Sequence, residues 1–130
     1  MFHGLTPAML ARMAELEAMD AADRTDGTPH GRRLRQVPPQ TGRYLAILAA
    51  SAPAGRVVEI GTSAGYSALW LSLACRERGD TLLSIDRDPD KLELARQTLE
   101  ATDTTELVCL AEGDALELVA GLDGIAFAFV

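Results

Sequence analysis

Positive charge is in short supply: 12 Lys and Arg stand against 19 Asp and Glu, a formal net charge of −7. That balance excludes a general binder of nucleic-acid backbones or of anionic membranes. The one basic cluster, Arg32, Arg33 and Arg35, has no aromatic residues interleaved with it and reads as a solvated loop. Histidine and cysteine are scarce too, with 2 of each. His30 stands in a Gly/Pro-rich segment with no second His within ligand reach, so it reads as an exposed loop residue. Cys75 and Cys109 fall in a helix pattern and a strand pattern without metal-type spacing, and both are expected to be buried small hydrophobes. No apolar run approaches the ~18 residues of a membrane span, and no basic stretch leads into an apolar one at the N-terminus. The expected location is the cytoplasm.

What is present is ordinary for a globular chain: 48% hydrophobic and 24% charged residues in 130. A length of this order suits one domain, residues 1–130, with a helical segment over 1–55 and an alternating core over 56–130. Thr6-Pro7 reads as a cap followed by a first-turn proline, and Leu5, Met9, Met13 and Leu16 then recur at helical spacing to about Asp23. Such a Met-rich stripe is packing surface. A loop follows over 25–42, and a second helix is expected over 40–52, stopped by Pro53 and Gly55.

From there the punctuation becomes regular. Apolar, β-rich runs at 57–60, 81–85, 106–110 and 125–130 alternate with helix patterns at 64–78, 89–101 and 115–120. Repeated βαβ units build a parallel sheet, and continuous apolar strands suit a sheet covered on both faces. Asp88-Pro89 and the pair Asp114/Glu117 supply helix starts. Right-handed crossovers from a central first strand predict the order 3-2-1-4. The fold class is therefore α/β, Rossmann-like, with helices on both faces of a partial parallel sheet.

In such a sheet ligands lie beyond the carboxyl ends of the strands, where the order reverses. Three sequence features fall there. Glu59-Ile60-Gly61-Thr62-Ser63-Ala64-Gly65 closes strand one, with Gly61 permitting close approach and a helix N-terminus behind it. Asp86 follows strand two, where a carboxylate accepts bonds from ribose hydroxyls. Gly113-Asp114 follows strand three, where Asp114 either caps the helix or accepts from an exocyclic amine. Together they describe an adenosine-sized pocket. A dinucleotide fingerprint wants G-x-G-x-x-G, whereas this turn is E-x-G-x-x-x-G with Ser63 where that scheme needs glycine, so NAD is disfavoured.

"VVEIGTSAGYSALWLSLA", "LLSIDRDPDKLELARQTLE" and "AEGDALELV" resemble, in order and spacing, the motifs of S-adenosylmethionine-dependent O-methyltransferases of the catechol and caffeoyl-CoA type. "QVPPQTGRYLAIL" resembles the segment preceding the sheet in that family. The resemblance implies that Gly61, Tyr66 and Ser67 surround the methionine part of the cofactor, with the Ser67 hydroxyl and the Val37 backbone near its carboxylate. It places Asp86 on the ribose, Asp114 and the Ala115 backbone on the adenine, and Glu59 near the amino-acid end. Gly65, Arg87 and Gly113, in the same motifs, complete the set. In the family an Asp that binds a divalent metal, magnesium, directly follows the strand that "IAFAFV" resembles. This sequence ends there, so that Asp, the later metal ligands and the catalytic basic residue are absent, and the catalytic residues are unknown. The chain is thus expected to be the cofactor-binding half of a C-terminally truncated methyltransferase, with a small catechol-like or phenolic acceptor, impaired as it stands. It is also expected to form a homo-oligomer, a dimer by analogy, that covers the unpaired edge of strand four. Two other readings stay open: a non-catalytic module that binds an adenosine cofactor, and an NAD-binding Rossmann domain.

Overall fold

Thr6 opens the first helix through its hydroxyl, which accepts the Met9 N–H at 3.2 Å, and Pro7 fills the first helical position. The structure, a computed structural model, describes residues 4–130. This helix, α1 (Pro7–Asp23), buries Met9, Met13 and Leu16, the packing role expected of its methionines. A second helix, α2 (Pro39–Ser51), starts one residue before its expected position because Pro39 takes the first turn. Then come β1 (Arg56–Ile60), α3 (Tyr66–Arg78), β2 (Leu82–Asp86), α4 (Pro89–Thr102), β3 (Val108–Glu112), α5 (Ala115–Ala120) and β4 (Ile125–Phe129). All strand pairs are parallel and the order is β3-β2-β1-β4, as the crossover argument predicts. β3 begins two residues later than expected, because Thr105–Leu107 wind into a 3₁₀ turn first.

Helix α3 is buried at every position from Tyr66 to Cys75. A helix without a polar face needs cover all round. It lies between the sheet and α2, in one core that includes Val57, Leu82 and Val108 from the strands and Leu45, Ala46 and Ala49 from α2. The approach of α2 requires a glycine: a Cβ on Gly42 would sit 2.2 Å from Trp70 Cδ1. Arg78, near the end of α3, ties down the link from α2 to β1. Its guanidinium donates to the carbonyls of Ala49, Ala52, Pro53 and Gly55 and pairs with Asp80 at 2.7 Å. Gly79 ends α3 in the left-handed conformation that a residue with a Cβ adopts only with strain.

Val57, Leu82 and Val108 align across the sheet on the face that meets α3. Their neighbours Val58, Leu83 and Cys109 therefore point to the other face. Because β3 connects to β4 on the far side of β1, a right-handed crossover carries α5 over that second face. Helices thus cover both faces, but unequally, since α5 has six residues and none is buried. Cys109 is exposed on this thinly covered face, contrary to the burial expected of it, whereas Cys75 is buried as expected. The apolar character of β3 signalled a strand; it did not signal how long the covering helix would be.

Candidate functional site

The three loop tips meet at one rim because Asp86 bonds to both of the others. Its carboxylate accepts the Ser63 N–H of the first tip at 3.0 Å through Oδ2, and the Asp88 N–H at 3.0 Å through Oδ1. Its backbone carbonyl accepts the Gly113 N–H of the third tip at 3.1 Å. The first tip also leans on β2 through the Gly61 N–H, 2.8 Å from the Ile85 carbonyl. Its backbone is left-handed at Gly61 (φ +95°), Ser63 (φ +50°) and Gly65 (φ +91°). The two glycines take that region without cost; Ser63 is held there by its bond to Asp86.

Two adjoining cavities open at this rim, sharing Ile60, Gly61 and Asp86. The first, about 370 Å³, is lined by Val37, Tyr66, Ser67 and Phe129 among others. The second, about 350 Å³, is lined by Arg87, Gly113, Asp114 and Ala115. At Gly61 a Cβ would meet no atom within 4 Å, so the glycine leaves open space at the junction of the two. Together they suit an elongated ligand with a nucleoside at one end. The donor set fits one: a carboxylate on the dividing wall, acceptors beside the second cavity, and the first turn of α3 at the other. Gly65 offers no side-chain cap, so the leading N–H groups of that helix have no intrahelical partner and suit an anionic group.

Of the residues expected from sequence, Val37, Gly61, Tyr66, Ser67, Asp86, Arg87, Gly113, Asp114 and Ala115 line one cavity or the other. Glu59 and Gly65 do not. Gly65 faces α4, where a Cβ would lie 3.5 Å from Ala95 and Thr98. Glu59 is wholly buried behind the Ser67 hydroxyl, which donates to it. Burial pushes the Glu59 carboxyl up to about 7, against the lowering effect of its hydrogen bonds to Ser67 and Ser84. Tyr66 turns its hydroxyl away, donating to Glu17 of α1 at 3.0 Å. Asp114 does cap α5, accepting the Leu116 N–H at 2.8 Å rather than the Glu117 N–H of a capping box.

The sequence reading missed Leu34 and Lys91, which also line the first cavity, and gave no separate role to Gln36, Thr62 and Ser63, which lie in segments it named and line that cavity too. The loop carrying Leu34 to Val37 is clamped from three elements. Asp23 and Asp20 of α1 accept the Leu34 and Gln36 N–H groups at 2.8 and 3.1 Å. Ser63 Oγ donates to the Leu34 carbonyl at 2.9 Å, and Lys91 Nζ of α4 to the Arg33 carbonyl at 2.9 Å. Lys91 is the chain's only lysine and is buried, a signal that sequence alone carried only by its rarity. Among the described residues no three of His, Cys, Asp and Glu converge to hold a metal ion, so no chemical step is assigned to one.

A parallel sheet that reverses order at a glycine turn, with acids at the next two strand ends, defines a Rossmann-like protein of the nucleoside-cofactor class. Within that class the chain belongs to the O-methyltransferase family, whose model matches residues 14–126. It is 33% identical over 91 residues to a catechol O-methyltransferase of Mycobacterium tuberculosis, covering 70% of this chain and 41% of that protein. It is 30% identical over 83 residues to a catechol O-methyltransferase of Niastella koreensis, covering 64% of this chain and 37% of that one. The chain thus spans about two fifths of the length of these curated relatives. Among solved structures it resembles the O-methyltransferase TomG of Streptomyces achromogenes, in complex with S-adenosylmethionine (TM-score 0.63, 31% identity, 83% of this chain and 46% of that one). It also resembles a methyltransferase of Geobacter sulfurreducens (TM-score 0.66, 29% identity, 87% and 54%).

Proposed function

We propose that this chain is the cofactor-binding part of an S-adenosylmethionine-dependent O-methyltransferase that methylates a hydroxyl of a small, catechol-like or phenolic acceptor. The observation that carries the reading is the meeting of the tips at Gly61, Asp86 and Asp114 on one rim, beside two joined cavities. Asp86 holds the ribose, Asp114 and the Ala115 backbone face the adenine, and the turn at Gly61 with Ser67 and the Val37 backbone takes the amino-acid end. What these residues supply is binding and orientation: they hold the methyl donor in a fixed pose so that an acceptor oxygen meets the sulfonium methyl in line. The names of the curated relatives support a catechol-like acceptor. A cytoplasmic location and a homodimer that covers the edge of β4 belong to the same proposal; β4 is at the sheet edge and carries Ile125, Phe127 and Phe129.

Calorimetry with S-adenosylhomocysteine, followed by a methyl-transfer assay on a catechol with and without magnesium, tests it. Binding with turnover supports the enzyme. Binding without turnover selects the alternative, a non-catalytic adenosine-cofactor module. Tight NADH binding with no response to S-adenosylhomocysteine overturns both.

A further inference from the structure

Of the basic cluster that reads in sequence as a solvated loop, Arg33 and Arg35 line a cavity of about 340 Å³. It lies between the end of α1 and the loop before α2, and Asp23, Arg24, His30 and Gln36 complete its wall. Arg35 and Gln36 also line the first cavity of the cofactor rim, so the two spaces adjoin. With the second cavity it shares no residue.

The positive charges here are not balanced from within the protein. Arg24 pairs with Asp20 at 2.7 Å, but among the described residues Arg33, Arg35 and Lys91 pair with no carboxylate. Arg33 gives its Nε hydrogen to the Thr28 carbonyl, and Arg35 Nη1 stands 3.5 Å from His30 Nε2. The nearby acids are engaged elsewhere: Asp23 accepts the Leu34 N–H, Asp26 accepts from Thr28, and Asp86 accepts the N–H groups of Ser63 and Asp88. Lys91 lines the adjoining cavity at 8% exposure and spends one of its hydrogens on the Arg33 carbonyl. A buried ammonium without a counter-charge is costly, and an anion drawn to it removes the cost. The loop is also rigid where it matters. Arg35 has φ +49°, a left-handed conformation that a residue with a Cβ holds only with strain, and the Leu34 and Gln36 N–H groups on either side are fixed to Asp23 and Asp20. A cation presented from a fixed backbone loses little freedom on binding.

We propose that this cavity is an oxyanion subsite for the methyl acceptor: Arg33 and Arg35, with His30 beside them and Lys91 adding positive charge from the adjoining cavity, take a carboxylate or phosphoryl group that the acceptor carries in addition to its hydroxyl. The inference rests on the S-adenosyl reading above and narrows the acceptor to an anionic one. The adenosine lies toward the second cavity, and the amino-acid end of the donor is taken by the turn at Gly61 with Ser67 and the Val37 backbone. The oxyanion received between α1 and the loop therefore belongs to the other substrate.

Calorimetry on the intact chain, saturated with S-adenosylhomocysteine, tests this by comparing 3,4-dihydroxybenzoate with 3,4-dihydroxybenzamide, a neutral molecule of nearly the same shape. The acid should bind roughly 10- to 100-fold more tightly, and the preference should shrink as salt rises from about 0.05 to 0.5 M. Arg35→Gly removes the guanidinium, and glycine takes φ +49° without strain, so the variant folds. Its affinity for the acid should fall at least about tenfold while that for the amide changes less than about twofold. Arg33→Gln should act in the same direction, with Arg33→Lys keeping part of the preference. Benzoate and phenyl phosphate, added as competitors, separate the two sources of the oxyanion: displacement by either supports the subsite, and the stronger competitor names the group. Equal affinity for acid and amide, or an undiminished preference in Arg35→Gly, overturns the proposal and leaves the cofactor assignment standing. A loss of S-adenosylhomocysteine binding in Arg35→Gly as large as the loss of the acid places the cofactor's own carboxylate here and overturns it too. Failure of S-adenosylhomocysteine to bind the parent overturns the cofactor assignment, and with it the identification of the oxyanion as an acceptor's.

Discussion

Replacing Asp86 by Ala separates a ligand-binding carboxylate from a structural brace. Two backbone N–H groups, of Ser63 and Asp88, lose their acceptor, each worth about 1 kcal/mol, so the free protein should lose about 2 kcal/mol of stability. Ser63 also loses the bond that holds it at φ +50°, and the glycine turn should loosen. If two ribose hydroxyls donate to the same carboxylate, S-adenosylhomocysteine binding should weaken by a further 1.5–3 kcal/mol or so, roughly 10- to 150-fold in Kd. Urea denaturation of the free protein measures the first effect. Titration calorimetry, at a temperature where the variant is fully folded, measures the second. Asp86→Asn keeps the volume and one acceptor and should fall between. A variant that loses stability yet binds S-adenosylhomocysteine as tightly as the parent would refute the ribose assignment and leave Asp86 as the joint between three loops.

Gly42→Ala drives a methyl group into the Trp70 ring, so α2 and α3 must separate; a loss of about 1–3 kcal/mol is expected, with a shift in the emission of the single tryptophan, and unchanged emission and Tm would contradict the close approach. Glu59 gives folding a pH dependence of its own. Its carboxyl is raised from 4.5 to about 7 in the folded state, so its favourable contribution is complete below about 4.5 and is lost as pH rises through 7, of order 3 kcal/mol. Urea midpoints across that window should fall in the parent and stay level for this group in Glu59→Gln. In the native state a thiol reagent should modify Cys109 quickly and Cys75 only on unfolding, since Cys75 is buried with its thiol pushed up to about 11 by desolvation. Equal rates would show that the second face of the sheet is covered.

Element type and order were legible in the chain because they rest on local rules: Thr6-Pro7 and Asp88-Pro89 cap helices within a turn, and apolar runs bounded by glycine mark strands. Handedness then set the sheet order and put the ends of β1, β2 and β3 on one rim, which is why Gly61, Asp86 and Asp114 could be named from their positions alone. Tertiary structure decided what depends on neighbours distant in sequence. Gly65 packs on α4, Cys109 is exposed because α5 is short, and Lys91 clamps a loop 58 residues earlier in the chain. Above all, Glu59 reads in sequence as one more acid of a glycine turn. Only the registration of β1 against β2, which sets Ser84 beside it, and the packing of α3, which sets Ser67 over it, turn that acid into a buried carboxylate whose charge state is set by its surroundings. Local sequence specifies conformation; burial and partnership arise when separate segments share one volume.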